Sequence, residues 1–271
     1  THWKKMVPVQ RVPSARYHHE MVFDSKRNRV LLYGGMPRGG VGFADTWSWD
    51  GVTWKAHGDG TPSARSGAAM AYDSARDRVV VFGGVTYGTP RKYYTETFEF
   101  DGGRWRLCKP TFSPPARAYH EMCYDPKRKR VVLYGGYSPS GSYLSDTWEW
   151  DGINWSKSIS GPSVGNFFSL VYDLNRDQIL LYGGKPAGPP NGYVYAYNGQ
   201  KWSRILIGNP PCPRYAHAAA FCQKGNRMVV FGGQALEPVQ YMGDTWELSE
   251  ELQGLSRYGH STPSCIGKIY Q

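Results

Sequence analysis

Two carboxylates stand where the sequence otherwise keeps small residues. Five segments of the chain open alike: a Pro, then in four of them an Arg, and three residues further on His19, Ala68, His120, Phe168 or His217. The next residue is Glu20 in the first segment and Glu121 in the third, against Ala69, Ser169 and Ala218 in the others. A carboxylate on an inner position is costly unless paired. An Arg, a His or a metal could pair it; left alone it takes a raised pKa and can work as an acid or base. The candidate catalytic set is therefore Glu20 and Glu121 with His18 or His120.

A second chemistry-bearing set shares these segments. Arg16, Arg65, Arg117 and Arg214 recur at one position, with Tyr17, Tyr119, Phe167 and Tyr215 close behind. Convergent guanidinium and aromatic groups suit an anionic or carbonyl-bearing ligand, through bidentate hydrogen bonds and flat apolar contact. The structural alternative is that these arginines brace the fold. The fourth segment departs from the rest: Gly165-Asn-Phe-Phe168 removes the cation and leaves an apolar patch. His19, His120 and His217 could in principle ring a metal, but hydrogen-bonded histidines between blades are the reading taken. The five cysteines include no CxxC pair, so zinc is not expected. No cofactor is expected either.

The elements that must carry these residues follow from a repeat. A Gly-Gly pair ends an apolar run at Gly34, Gly83, Gly135, Gly183 and Gly232, with spacings of 49, 52, 48 and 49 residues. About ten residues after each pair comes an alternating aromatic strand, as in Asp45-Thr-Trp-Ser-Trp-Asp50 and Asp146-Thr-Trp-Glu-Trp-Asp151. In the first four copies an Asp-Gly or Asn-Gly turn follows, then Trp54, Trp105, Trp155 or Trp202. Asp-Gly between alternating strands signals a hairpin. With the strand opened by Pro and Arg, each repeat is one antiparallel sheet of four strands, here called A to D.

The double Gly, the spaced aromatics, the later Trp and the Pro-x-x-Arg-x-x-His opening resemble the kelch-repeat family, in its galactose-oxidase-like bacterial form. The resemblance covers residues 1–248 and implies an all-β fold, a five-bladed kelch-type β-propeller. The fifth repeat lacks its strand D Trp, and His2-Trp3-Lys4 reads like Asn154-Trp155-Ser156. Residues 1–7 are thus expected to complete blade five and close the ring, leaving 249–271 as a tail. In that tail Arg257 to His260 looks like the start of another repeat. The resemblance is weak on activity, because relatives include sugar oxidases, a sialic-acid epimerase and plant specifier proteins. A galactose-oxidase-type copper site needs a linked Tyr–Cys pair, which no motif here identifies.

An A–B–C–D meander sorts the loops onto two faces. The AB turns carry twelve Lys or Arg against six Asp, so much of the +10 net charge falls on one face. That could attract polyanions, although paired, solvated hairpin turns are the simpler reading and nucleic acid is not expected. The BC loops, long and rich in Gly, Pro and aromatics, lie on the other face with the starts of strands A. Long loops on a rigid frame are where ligands are usually met. The leading reading is a ligand- or protein-binding propeller using that face. The rival is a small-pocket acid–base enzyme of isomerase, cyclase or lyase type there, and the third is polyanion binding by the AB turns. No apolar run is long enough to span a membrane, and the start is not a signal peptide. With an odd cysteine count, a cytoplasmic monomer is the expectation.

Overall fold

The computed structural model describes residue 6 and residues 11–249, apart from 59, 189, 237 and 238. No helix is present among the described residues. Blade one is β1 (Glu20–Asp24), β2 (Arg29–Tyr33), β3 (Thr46–Trp49) and β4 (Trp54–His57). Blade two is β5 (Ala69–Asp73), β6 (Arg78–Phe82), β9 (Thr97–Phe100) and β10 (Trp105–Leu107), with β7 (Val85–Thr86) and β8 (Lys92–Tyr93) pairing inside its BC loop. Blade three is β11 (Glu121–Asp125), β12 (Arg130–Tyr134), β13 (Asp146–Trp150) and β14 (Trp155–Ser160). Blade four is β15 (Ser169–Asp173), β16 (Gln178–Tyr182), β17 (Val194–Tyr197) and β18 (Trp202–Ile205). Blade five contributes β19 (Ala218–Cys222), β20 (Arg227–Phe231) and β23 (Thr245–Leu248), with β21 (Gln234–Leu236) and β22 (Val239–Tyr241) in its BC loop.

These are the five kelch-type blades that the repeat requires. The expected strand D of blade five falls on residues 1–7, which apart from Met6 lie outside the described residues, as do residues 250–271. The chain divides into two compact units, Thr1–Ser158 with the first three blades and Ile159–Gln271 with the last two; the end of β14 falls in the second.

Alternation along each strand explains how blades stack. Side chains with a period of two serve opposite faces of a sheet, and blade two shows both. Met70, Val79, Val81, Phe98 and Phe100 meet Leu31 and Tyr33 of blade one. Ala69, Ala71, Val80 and Phe82 meet Met122, Val131, Leu133, Trp150 and Trp155 of blade three. In the second unit, Val171, Leu180, Tyr182, Val194 and Ala196 pack against Met228 and Val230. Polar links lock the same interfaces. The Trp105 indole donates to Thr46 Oγ1 of the preceding blade at 2.8 Å, and Trp155 donates to Thr97 Oγ1 at 2.8 Å. Trp105 and Trp155 are therefore packing and registration devices.

The double glycine has a steric cause. Gly83 and Gly84 adopt φ of 67° and 96°, a region that residues with a Cβ enter only at a cost. A Cβ on Gly83 would lie 2.7 Å from the Arg117 carbonyl oxygen and 2.8 Å from the His120 ring. Gly84 N–H donates to that same carbonyl at 2.9 Å. The pair lets the next blade's strand A approach to contact.

Candidate functional site

The strand A arginines sit beneath the surface rather than on it. Arg65 is 1% exposed, and Arg117 and Arg214 are 0%. Arg16 donates to Asp45 at 2.5 and 2.8 Å and to the Gly34 carbonyl at 2.9 Å. Arg117 donates to Asp146 at 2.7 and 2.8 Å and to the Gly135 carbonyl at 3.0 Å. Arg214 repeats this with Asp244 and the Gly232 carbonyl. In blade two the acid is Glu96, 3.6 Å from Arg65, whose guanidinium also lies 3.9 Å from the Tyr94 ring centroid. The same Asp side chains accept the strand C indoles of Trp47, Trp148 and Trp246. Arg214's hydrogen bonds, against a smaller opposing burial effect, hold Asp244 down at about 2. Each blade with this Arg thus carries an internal Arg–Asp(Glu) node tying strand A to strand C and to the double glycine. The bridging is within a blade, where its charge is matched.

Above these nodes lies a shared backbone strain. His18, Gly67, Tyr119, Phe167 and Ala216 occupy one repeat position, and all five are left-handed, with φ between 53° and 59°. Only blade two uses Gly there. For a bulky residue this conformation costs roughly 1–2 kcal/mol, and it re-aims the side chain. The backbones of neighbours are joined: Gly67 N–H donates to the His18 carbonyl at 3.0 Å, Tyr119 N–H to the Gly67 carbonyl at 2.8 Å, and Ala216 N–H to the Phe167 carbonyl at 2.8 Å. Each BC loop starts against this row, because Tyr17 bridges Met36, Ser66 bridges Val85, Ala118 bridges Tyr137, Asn166 bridges Lys185 and Tyr215 bridges Gln234.

In the first unit this builds an aromatic cluster. The Tyr119 ring lies over Gly67, where a Cβ would come within 2.7 Å of it. His18 meets Tyr119 edge-on at 5.1 Å and Tyr17 at 4.8 Å. The Tyr119 hydroxyl bonds to that of Tyr87, from the blade-two BC loop. Arg91 of the same loop stacks over Tyr87 at 4.5 Å. Burial, then the bond to Tyr87, pushes the Tyr119 phenol far above its ordinary range, so it stays protonated. Tyr17 is exposed. In the second unit Phe167 faces Tyr215 at 6.4 Å, and Lys185 lies over Tyr215 at 5.0 Å. Sequence reasoning named Tyr17, Tyr119, Phe167 and Tyr215 as ligand contacts and His18 as an acid–base group, and named neither Tyr87 nor Arg91. Gly67, the lone glycine in its column, was the available sign of the left-handed row.

Glu20 and Glu121 come together electrostatically. They start β1 and β11, which both pack against β5, where the equivalent residue is Ala69. Burial, then the charge of Glu121, raises Glu20 well above the carboxylate range, and burial pushes Glu121 up to about 8. Neither has a hydrogen-bond or ion-pair partner among the described residues. His120 is 2% exposed and packs beside Phe82 at 5.7 Å, and burial followed by Arg117's charge lowers it to about 3. His217 is lowered to about 4 for the same reasons, with Arg214 as the cation. Burial, then His19, lowers His18. Cys108, Cys123, Cys212 and Cys222 form no disulfide among the described residues.

Part of the AB-turn charge is paired within the turns. Arg27, Arg76, Arg128 and Arg176 each pair with the Asp three residues earlier, Asp24, Asp73, Asp125 and Asp173. Arg27 also bonds Asp77 of the next blade at 2.7 and 2.8 Å, and Arg76 bonds Glu99 at 2.5 Å.

Known proteins resemble the chain as follows. The family model for the KLHDC2/KLHL20/DRC7 Kelch-repeats domain matches residues 1–156. An F-box/kelch-repeat protein of Arabidopsis thaliana is 32% identical over 158 residues, 51% of this chain and 32% of that protein. A probable serine/threonine-protein kinase of Dictyostelium discoideum is 29% identical over 168 residues, 57% of this chain and 12% of that protein. Adagio-like protein 3 of Oryza sativa subsp. japonica is 26% identical over 165 residues, 54% of this chain and 25% of that protein. The chain spans about a third or less of these relatives' lengths.

Proposed function

Because the chain belongs to the kelch-repeat family, whose propellers typically bind proteins, we propose that it is a binding module for a protein segment or similar ligand. The site is the face formed by the BC loops and the starts of strands A. The observation carrying this reading is the left-handed row, in which His18, Tyr119 and Phe167 hold a strained backbone at φ of 53–58°. Strain of this kind persists where the surroundings impose it and clusters at functional sites. Here it presents His18 and Tyr119 beside Tyr17, Tyr87 and Arg91, a surface of aromatic faces with one exposed cation. Aromatic side chains and Arg are the residues that dominate binding energy at interfaces. Arg16, Arg65, Arg117 and Arg214 act beneath it as the frame that fixes loop and strand.

Panning a random-peptide display library on the chain tests this reading. Selected peptides should lose binding to Tyr119→Gly and Arg91→Gln variants and keep it with Lys127→Glu on the AB turns. Peptides that bind all three variants equally would sink it.

An acid–base enzyme on the same face has one observation in its favour. Glu121, pushed up to about 8, carries its proton at neutral pH beside Glu20, as a general acid must. Glu20, Glu121 and His18 would act there, while His120 is buried and neutral. Deuterium uptake at carbon in a metabolite extract incubated with the chain in heavy water, lost in Glu121→Gln, would establish that reading. No uptake leaves the binding module.

A further inference from the structure

Blade four departs from its siblings as a set. Blades one, three and five each hold an Asp that binds both the strand A Arg and a strand C indole. In blade four the corresponding residues are Gly165, Tyr193 and Tyr195, so cation, acid and indole are all replaced. The space is closed to an arginine, since a Cβ on Gly165 would lie 1.8 Å from the Lys185 carbonyl oxygen.

What replaces the node is a set of aromatic and cationic side chains, exposed at Tyr193 and Arg204 and buried at Tyr197. Tyr193, Tyr195 and Tyr197 share one face, opposite to Val194 and Ala196 in the core. The β17–β18 register sets Arg204 against Tyr195 and Trp202 against Tyr197. The Arg204 guanidinium stacks 3.4 Å from the centroid of the exposed Tyr193 ring. Trp202 stacks on Tyr197 at 5.1 Å, with 27° between the rings. Alongside, Ile159 and Pro162 wall a groove of about 300 Å³, lined further by Tyr195, Lys201, Trp202 and Arg204. No carboxylate lines it. The side chains of Lys201 and Arg204 have no ion-pair or hydrogen-bond partner among the described residues.

Two uncompensated cations at the edge of aromatic rings define the ligand. We propose that this groove binds a small ring compound carrying one phosphate group. The stack on Tyr193 orients the Arg204 plane in advance, leaving N–H edges for bidentate bonds to phosphate oxygens. Lys201 adds a point charge, and Trp202 and Tyr195 give the ring a flat apolar wall. The volume lies at the small end of ligand sites, which fits a nucleoside monophosphate or a sugar phosphate. The proposal is independent of the loop-face reading, because it uses none of those residues.

Nitrogen–proton correlation spectra of the full chain test it, with the Trp202 indole signal identified by its loss in Trp202→Phe. The probes are adenosine 5′-monophosphate, glucose 6-phosphate, adenosine and inorganic phosphate. A saturable Trp202 shift with either ring phosphate, at least about tenfold tighter than with inorganic phosphate or adenosine, supports the site. Which of the two binds tighter tells whether a base or a sugar lies on the wall. Arg204→Gln and Lys201→Gln, both at exposed positions, should each weaken it by about fivefold or more with the other indole signals unmoved. No Trp202 shift with either ring phosphate at about 10 mM, equal affinity for inorganic phosphate, or full binding by both variants would overturn it.

Discussion

Replacing Glu121 by Gln should change how stability depends on pH, and the sign follows from the carboxyl pair. Burial pushes Glu121 from an ordinary 4.5 up to about 8, and burial with the charge of Glu121 raises Glu20. Between those pH values the folded chain keeps a proton that the unfolded chain has lost. The contribution is therefore fully present below about pH 4.5 and is lost as pH rises towards 8. Taken whole, a move from 4.5 to about 8 is worth about 5 kcal/mol. Glu121 is only partly shielded from solvent, which screens the penalty, and Glu20 keeps a share of it. About 2 kcal/mol is the expected gain for Glu121→Gln at pH 9, and only a small part of it at pH 5, just above the ordinary carboxylate value of 4.5.

The buried histidines act in the opposite direction. His120 and His217, lowered to about 3 and 4 by burial and the neighbouring arginines, make stability rise with pH between those values and about 6.5. Comparing variant with parent at each pH cancels them. Urea midpoints at pH 5, 7 and 9 give the result directly. Parent and Gln curves that stay parallel over this range would refute the claim that Glu121 is held protonated by its surroundings.

Three further perturbations follow from the blade architecture. Gly83→Ala places a methyl 2.7 Å from the Arg117 carbonyl at φ 67°, and should cost about 2–4 kcal/mol in denaturant unfolding. Asp146→Asn leaves the fully buried Arg117 without its counter-ion, with an expected loss of about 3–5 kcal/mol; a loss within about 0.5 kcal/mol, as for an ordinary surface substitution, would show the node to be dispensable. Lys129, left-handed at φ 54° in an AB turn where other blades use Asn or Asp, should gain about 0.5–1 kcal/mol as Gly or Asn, read as a raised melting temperature.

The strand A arginines show where sequence reading reached its limit. Their recurrence pointed equally to a ligand and to a brace, because type and spacing are the same for both. Only coordinates place Asp45, Asp146 and Asp244 about thirty positions away against the same guanidinia, in the strand C motif that already held the tryptophans. Tyr87 and Arg91 were illegible for another reason. They sit on a loop without period, and what gives them a role is the reach of Tyr119 from the next blade.

The sequence by itself determined the blades. Period-two alternation, Asp-Gly turns and a Gly-Gly pair every 48 to 52 residues are local signals, each tied to a backbone requirement that few residues meet, so the strand order A to D could be read along the chain. The tertiary structure decided which of the repeated polar residues are exposed and which charges are matched. Those properties depend on neighbours from other strands and other blades. The glutamates show both halves of the argument: their odd position was visible as spelling, but the raised pKa that makes them chemically distinct comes from burial and from each other.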